Sequence, residues 1–437
     1  MRATQATPRV PEQVRSPVAP AFRPAPLPVR GAPDASVPAD QATVRRLNLG
    51  LLMRSLASGG PRSRARLAED TGLNKATVSS LVTELVDRGL AVEGIIQRSG
   101  VGRPGRTIEV NTAMVRCIGL ELNVDYLAGV ITDLTGRVLA RRRLNLPMVE
   151  LGPARAMGKV AELADSLVQD CGAVTGQVQT LNLSLPGLID IDAGVLAYGP
   201  NLAWRQVDVV HTLMGRLRWP GTRIGVDNDA NLGAMAEYAS GPSAGAANLL
   251  YLVGEIGVGV GMIIDGRILR GATGFAGEVG HMPIGDPGVQ CGCGRRGCWE
   301  TAVGMNAVVE AVADADDGLR NGNMAARLQQ IVERAESGDP RTLTALGETG
   351  RRLGIGASVL ANLLDPEVII FGGHFAALQH YLAPAVQTEM RSRVLGGDVM
   401  ACRIEFSTLG FEAPALGAAH AGIDALINDP TLVAVPA

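Results

Sequence analysis

Apolar residues recur at helical spacing from residue 41 onward, and they predict three short helices in succession. The first helix is predicted to end at Gly59-Gly60-Pro61. Its predicted buried face comprises Leu47, Leu51, Leu52 and Leu56. Ser63 can cap the second helix, and Asn74 can cap the third, because short polar side chains accept hydrogen bonds from the free N–H groups of a first turn.

The third helix has the most regular pattern. Its predicted buried face consists of Val78, Leu81, Val82 and Leu85, at positions i, i+3, i+4 and i+7. The opposite face holds small or hydroxylated residues, a surface that lets a helix enter the major groove of DNA. Together with the first turn, the candidate DNA-contacting residues are Asn74, Lys75, Ala76, Thr77, Ser79, Ser80 and Thr83.

Strand-like residues after this helix predict a β-hairpin, or wing. Residues 91–96 and 107–110 form its two predicted strands. The tip reads Gly102-Arg103-Pro104-Gly105-Arg106, and its two arginines, Arg103 and Arg106, could enter a minor groove. Three helices and a hairpin could also be a generic accessory domain.

Charge is distributed unevenly along the chain. Residues 1–110 carry 16 Lys and Arg against 9 Asp and Glu, whereas the remainder carries 24 against 34. A basic head on an acidic body suits a nucleic-acid contact at one end. An arginine-rich solvated tail would give the same balance. The prediction of a winged helix-turn-helix over residues 41–110 therefore depends on the helix pattern and the charge together.

Composition excludes several other classes of protein. Residues 1–40 hold 9 of the 25 prolines without apolar periodicity, which predicts a disordered arm. No run of 18 apolar residues predicts a membrane span, and the first thirty residues lack the apolar segment of a secretory signal. Cys117, Cys171 and Cys402 stand singly, as buried thiols do. These features predict a cytoplasmic protein.

Strands and helices alternate beyond residue 111, with glycines at the strand ends. Predicted strands are residues 117–122, 128–134, 181–185, 224–226, 249–253, 258–264 and 368–371. Helices are predicted over residues 153–170 and from Ala230, directly after Asp227-Asn228-Asp229. Two successive halves of this kind predict an α/β body over residues 111–437, with two lobes and a cleft between them.

One loop concentrates the candidate metal ligands. His281, Cys291, Cys293 and Cys298 fall within 18 positions. Three thiolates and one imidazole suit a structural, tetrahedral zinc ion. The alternative is a Gly-rich loop with incidental buried thiols. Glu278 and Glu300 flank the loop, so a bound metal would hold two carboxylates in place.

These motifs together resemble the ROK family (repressor, open reading frame, kinase), whose body has the actin-like fold of hexokinase-type sugar kinases. The resemblance covers about residues 43–430 and includes the metal loop, the winged helix-turn-helix and the run Asn228-Asp229-Ala230-Asn231. It implies zinc ligation by His281, Cys291, Cys293 and Cys298. It implies sugar contacts by Asn201, Asn228, Asp229, Glu278, His281 and Glu300. Asn228 and Asn231 could instead be helix caps.

The phosphate loops depart from the kinases of this family. Where those kinases carry Asp-x-Gly-Gly-Thr, this chain has Glu121, Asn123, Val124 and Asp125. The second loop has gained Glu255 and Ile256. Because polyphosphate needs N–H or cationic partners, lost glycines and added carboxylates predict that ATP does not bind.

The leading hypothesis is a sugar-responsive transcriptional repressor without enzymatic activity, in which Asp229 is a vestigial catalytic base. It carries structural zinc and binds double-stranded operator DNA as a homodimer or tetramer. An active ATP-dependent sugar kinase with a DNA-binding head is the alternative. A third possibility, a regulator whose cleft no longer binds sugar, is disfavoured by the retained acidic site.

Overall fold

The computed structural model describes residues 40–97, 105–396 and 402–435, without the side chains of residues 95–97 and 105. Residues 46–437 form one compact unit, and the described part of residues 1–45 contains the beginning of the first helix. The predicted disordered arm, Asp40 apart, and the wing-tip residue Arg103 lie outside the described residues.

The amino-terminal head has the predicted three helices and a wing. Its elements are α1 (Gln41–Gly59), β1 (Arg62–Ser63), α2 (Arg64–Thr71), α3 (Lys75–Asp87), β2 (Ala91–Gln97) and β3 (Gly105–Val110). Both predicted caps are confirmed: Ser63 Oγ accepts from Arg66 N at 3.2 Å, and Asn74 Oδ1 accepts from Thr77 N at 2.8 Å. The predicted apolar face of α3 is buried. Strand β1, which pairs with β3, was not predicted.

The predicted buried face of α1 is partly wrong. Leu47 is 44% exposed and Leu51 is only partly buried. The buried positions are Leu49, Gly50, Leu52, Met53 and Leu56. The helix is rotated because it packs against the carboxyl-terminal part of the chain, where a Cβ on Gly50 would lie 2.5 Å from the carbonyl oxygen of Asn428.

The first lobe is built on a five-stranded sheet. Its elements are β4 (Arg116–Leu122), β5 (Tyr126–Thr132), β6 (Val138–Asn145), α4 (Met148–Asp170), β7 (Val178–Leu185), β8 (Leu188–Asp190), β9 (Val195–Gly199), β10 (Trp204–Asp208), α5 (Val209–Leu217) and β11 (Arg223–Asn228). The strand order is β11-β7-β4-β5-β6, parallel from β11 to β4 and antiparallel from β4 to β6. Parallel strands end at one edge, so the residues after Leu185 and Asn228 meet at the cleft.

The second lobe contains another five-stranded sheet, in which the strands lie in the order β14 (Arg267–Ile268), β13 (Val258–Ile264), β12 (Leu249–Gly254), β15 (Val368–Gly373) and β16 (Arg403–Phe406). Its elements are α6 (Asp229–Ser240), β12 (Leu249–Gly254), β13 (Val258–Ile264), β14 (Arg267–Ile268), α7 (Glu300–Val303), α8 (Met305–Val312), α9 (Met324–Glu336), α10 (Pro340–Leu364), β15 (Val368–Gly373), α11 (His374–Ala377), α12 (Gln379–Arg393) and β16 (Arg403–Phe406), and the chain then continues into α13 (Ala413–Asn428). The predicted two-lobed α/β body is confirmed. Among the described helices, none combines the length and the apolarity needed to cross a membrane.

Helix α13 connects both lobes with the head. It packs on β4, β7 and α6 so closely that only glycine fits at two contacts. A Cβ on Gly119 would lie 1.9 Å from the carbonyl oxygen of Ala415, and a Cβ on Gly417 would lie 1.7 Å from that of Leu232. At its far end, Ile423 and Leu426 share one buried core with the head. A shift of α13 would therefore change the packing of both the two-lobed body and the head.

Candidate functional site

The four predicted metal ligands come together on the second lobe. The ligand atoms of His281, Cys291, Cys293 and Cys298 all lie within 4.8 Å of one another. Two of the separations, Cys293 Sγ to Cys298 Sγ and Cys291 Sγ to His281 Nδ1, are 3.7 Å. A tetrahedron with Zn–S bonds of about 2.3 Å has edges of about 3.8 Å. The donor set and its spacing therefore fit a zinc ion.

The flanking carboxylates reach the same histidine. Glu300 Oε1 lies 3.5 Å from His281 Nδ1 and 2.6 Å from Cys291 Sγ, and Glu278 Oε2 lies 3.7 Å from His281 Nε2. A metal-binding histidine commonly directs its second nitrogen toward a carboxylate, which fixes the ring. With Nδ1 on the metal side, Nε2 would face Glu278.

A cavity of about 390 Å³ lies in the cleft, and all six residues to which the family resemblance assigns sugar contacts line it. They are Asn201, Asn228, Asp229, Glu278, His281 and Glu300. Asn201 and Asn228 come from the first lobe, whereas Glu278 and Glu300 come from the second. A ligand of this cavity would therefore touch both lobes.

The start of α6 contributes Asn228 and Asp229 to the cavity lining. Asn228 Oδ1 accepts from Ala230 N at 2.9 Å and from Asn231 N at 3.2 Å, so the capping role considered for Asn228 is present alongside its place in the cavity. Asn231 does not line the cavity, and its amide donates to Asp227 Oδ1 at 3.3 Å.

Burial raises the pKa of Asp229 to about 7. Burial likewise raises the pKa of Glu278.

Several cavity residues were not predicted from the sequence, and four of them are informative. Tyr198, Pro186, Gly187 and Arg295 also line the cavity. Tyr198 is covered by the guanidinium of Arg205, 3.8 Å from the ring centroid. Pro186-Gly187 directly follows a predicted strand, and this position at a strand end could have indicated that the two residues lie at the cleft. Tyr198 and Arg295 gave none, because only the folded chain brings them to the cleft.

The side chains added in the phosphate loops make contacts between the lobes. Glu255, after β12, accepts from the amide of Asn123 and lies 3.3 Å from the hydroxyl of Tyr126. Asp125 Oδ2 accepts from the backbone N–H of Met324 at 2.7 Å. The chain's own groups thus fill hydrogen-bonding positions at the two loops that bind phosphate in kinases of this family.

A second buried carboxyl lies beside Glu255. Glu121 is fully buried, and its Oε1 accepts from Tyr126 OH and, at 3.3 Å, from the amide of Asn123. Among the described residues, its Oε2 has no partner. Burial, with the neighbouring Asp229, raises the pKa of Glu121 to about 8, and burial with Glu121 raises the pKa of Glu255 well above its usual range. Both carboxyls are therefore poised to hold protons at neutral pH.

The candidate DNA-contacting residues of α3 lie on its outer side. Asn74, Lys75, Ala76, Ser79, Ser80 and Thr83 are exposed, and Thr77 is partly exposed. In the wing, Arg106 is exposed but forms an ion pair of 2.9 Å with Glu93, which Arg64 also contacts at 2.7 Å. Arg106 would therefore have to share or leave Glu93 in order to reach a phosphate.

Comparisons with known proteins agree with this architecture. Residues 117–424 match the ROK family, and residues 49–93 match the IclR helix-turn-helix domain. The xylose repressor of Bacillus subtilis is 31% identical over 397 residues, which cover 90% of this chain and 99% of that protein. The dual regulator NagC of Escherichia coli K12 is 27% identical over 360 residues, or 80% and 86% of the two chains.

Solved structures show the same fold. A ROK family transcriptional regulator, a homologue of the E. coli MLC protein, superposes with a TM-score of 0.72 at 24% identity, over 89% of this chain and 98% of the other. A ROK glucokinase from Streptomyces griseus, in complex with glucose and AMPPNP, has a TM-score of 0.61 at 26% identity, over 70% and 98%. The chain belongs to the ROK family and joins its two-lobed body to an IclR-type helix-turn-helix.

Proposed function

We propose that the protein is a transcriptional repressor whose affinity for operator DNA is controlled by a sugar bound in the cleft. The observation that carries this proposal is the joining, in one compact unit, of an exposed DNA-reading helix and the cavity lined by Asn201, Asp229, Glu278 and Glu300. Carboxylates and amides are suitable partners for the vicinal hydroxyls of a sugar.

The proposed effector is a neutral aldose, and D-xylose is the first candidate because relatives over 90% of the chain are named xylose repressors. Charge supports a neutral ligand over a sugar phosphate. Four carboxyl groups line the cavity, those of Asp229, Glu255, Glu278 and Glu300, against a single arginine, Arg295, and Glu255 adds no charge because its raised pKa keeps it protonated near neutral pH. A phosphate group would be repelled by the ionised members of that set.

We also propose that a zinc ion binds His281, Cys291, Cys293 and Cys298, and that ATP does not bind. The zinc would have a structural role, since four protein ligands leave no open position for water. The contacts of Asp125 with Met324 N and of Glu255 with Asn123 argue against ATP binding, because these groups occupy the two loops where phosphate would bind. Phosphorylation of D-xylose or D-glucose by purified protein and ATP would overturn this part of the proposal.

The DNA-binding role predicts that a bulky residue on α3 abolishes operator recognition. Ser80→Trp should reduce operator affinity by about tenfold or more, because a large side chain prevents the helix from entering the major groove. Electrophoretic mobility shift checks this, with Gln387→Trp on the exposed side of α12 as the control. Wild-type affinity should fall steeply between about 50 and 200 mM salt, and a flat salt response would contradict the DNA-binding role.

The effector role predicts mutual weakening of sugar and operator binding. A sugar that touches Asn201 on one lobe and Glu300 on the other should favour a closed cleft and displace α13 with the head. Two heads of a dimer would then no longer fit half-sites about 34 Å apart, so the sugar should act as an inducer. Calorimetric titration with and without operator should show affinities that differ by about 5–150-fold.

The matching variant is Asp229→Asn combined with Glu300→Gln. It should bind operator like the wild type and ignore the sugar, because the head is intact while two cavity carboxylates are lost. Equal sugar affinity in the presence and absence of operator would show that the cleft and the head are uncoupled.

The proposal also includes assembly and location. One winged head reads one half-site, so a two-fold operator needs a homodimer or a tetramer. A repressor acts on chromosomal DNA, which supports the cytoplasm as its compartment.

A further inference from the structure

A second chamber of about 460 Å³ lies beside the cleft cavity. Asn201, Ile256 and Glu300 line both spaces. The other walls of the second chamber come from the loop of the metal ligands, from α7 and α8, and from the first half of α10. Each volume lies within the range of about 300–1,000 Å³ that is usual for small-molecule sites.

Side-chain ends form part of the boundary between the two spaces. Next to the shared residues lies Gly257, where a Cβ would stand 2.8 Å from Glu300 Oε2 and 3.3 Å from Asn201 Nδ2. Asn201 is exposed and belongs to a short 3-10 helix of the first lobe. Rotation of the Asn201 side chain can widen the gap between the two spaces without moving the backbone, whereas Glu300 is held by its contact of 2.6 Å with Cys291 Sγ.

The second chamber is lined by hydrogen-bonding groups and by small apolar residues. Its polar lining includes Gln290, Thr301, Asn306, Glu310, Glu348 and Arg352. Its small residues are Ala302, Ala307, Ala311 and Ala345. Donors and acceptors beside small apolar residues suit a hydroxylated ring better than an apolar ligand.

Two of these side chains keep donors available. Asn306 Oδ1 accepts from Arg327 Nη1 at 3.0 Å, and Arg352 Nε donates to Glu348 Oε1 at 2.6 Å. Within the described residues, the Asn306 amide nitrogen and the terminal guanidinium nitrogens of Arg352 have no further hydrogen-bond partner. Glu348, whose pKa is lowered to about 2 by hydrogen bonds from Arg351 and Arg352, is a permanently ionised acceptor near neutral pH.

We propose that the second chamber binds the second ring of a disaccharide whose first ring occupies the cleft cavity. This inference rests on the proposed function, since it extends the same sugar site. The shared residues favour a ligand that spans both spaces over two independent ligands, because Glu300 and Asn201 would contact both rings at the glycosidic link. The repressor would then respond to a product of partial polysaccharide breakdown as well as to a free monosaccharide.

The experiment compares matched pairs of sugars on the purified full chain. Calorimetry is carried out with D-xylose and β-1,4-xylobiose, D-glucose and cellobiose, and N-acetylglucosamine and chitobiose. The disaccharide of the preferred monosaccharide should bind about tenfold more tightly than the monosaccharide, as expected for a few additional hydrogen bonds. Ala311→Trp, which fills the chamber from its exposed rim, should remove that gain and leave monosaccharide affinity unchanged.

Ala325→Trp, on the exposed side of α9, is the matched control and should bind both sugars like the wild type. A monosaccharide that binds while its disaccharide binds no more tightly would overturn the second subsite. An equal gain in wild type and Ala311→Trp would also overturn it. If none of the six sugars binds, the proposed function itself fails, and this outcome is distinct from the other two.

Discussion

Protein carrying Cys298→Ser is expected to purify with less than about half an equivalent of zinc and to lose sugar binding by about tenfold or more. Cys298 is buried, and its Sγ lies 3.7 Å from that of Cys293. It serves this test better than Cys291, whose Sγ contacts Glu300 directly. A loss of sugar affinity in Cys298→Ser would therefore arise through the metal loop, which would no longer hold His281 and Glu300 in position.

Metal content is measured by mass spectrometry after chelator-free purification, and sugar affinity by calorimetry. Cys171→Ser, a thiol outside the cluster, is the control and should retain both zinc and sugar. Because the head has its own buried core with α13, operator binding by Cys298→Ser should persist. If the wild-type protein contains no zinc, the proposed metal site is contradicted. If Cys298→Ser keeps its sugar affinity, the proposed role of zinc in holding the sugar site is contradicted.

The stability of the wild type is expected to fall relative to that of Glu121→Gln as pH rises from about 5 to about 8. The pKa of Glu121 is raised from 4.5 to about 8, so the carboxyl is neutral in the folded protein at a pH where the unfolded chain ionises it. Below pH 4.5 the carboxyl is protonated in both states, so its raised pKa does not affect the free energy of unfolding. As pH rises from about 4.5 to about 8, the unfolded chain loses the proton and the folded protein keeps it, so the free energy of unfolding falls. Glu255 acts in the same direction.

A glutamine at position 121 keeps the shape and cannot ionise. Glu121→Gln should therefore raise the free energy of unfolding at pH 8 by on the order of 1–3 kcal/mol and change it little at pH 5. Urea unfolding at the two pH values measures the difference, and Glu162→Gln, at an exposed position on α4, is the control. An equal change in the free energy of unfolding between pH 5 and pH 8 for wild type and Glu121→Gln would show that Glu121 is not protonated in the folded state.

Features encoded over short stretches of sequence were predictable. Val78, Leu81, Val82 and Leu85 lie within one helix, so their spacing alone located a buried face that the structure confirms. The clustering of His281, Cys291, Cys293 and Cys298 was equally predictable, because these residues lie within 18 positions and glycines allow the chain to fold back. The family resemblance then supplied the fold of the body.

Features that depend on distant parts of the chain were not predictable. The buried side of α1 is determined by its packing against residues near Asn428, almost four hundred positions away. The local spacing of apolar residues therefore predicted wrongly that Leu47 is buried. The meeting of Glu255 with Asn123 and Tyr126 likewise joins two lobes across about 130 positions. The sequence showed that these loops had gained carboxylates. It did not show that each carboxylate forms hydrogen bonds with the opposite lobe instead of facing solvent.

The core shared by the head and α13 has a consequence for engineering. Ile423, Leu426 and Val433 complete the buried interior around α1 and α3, and Arg88 on the head donates to the carbonyl oxygen of Val433 at 2.5 Å. The operator-reading segment is therefore not an autonomous module that can be cut at residue 110 and grafted elsewhere. A chimeric repressor with a new operator specificity would have to exchange α1–β3 and the matching surface of residues 423–433 together, or replace only the outward-facing residues of α3.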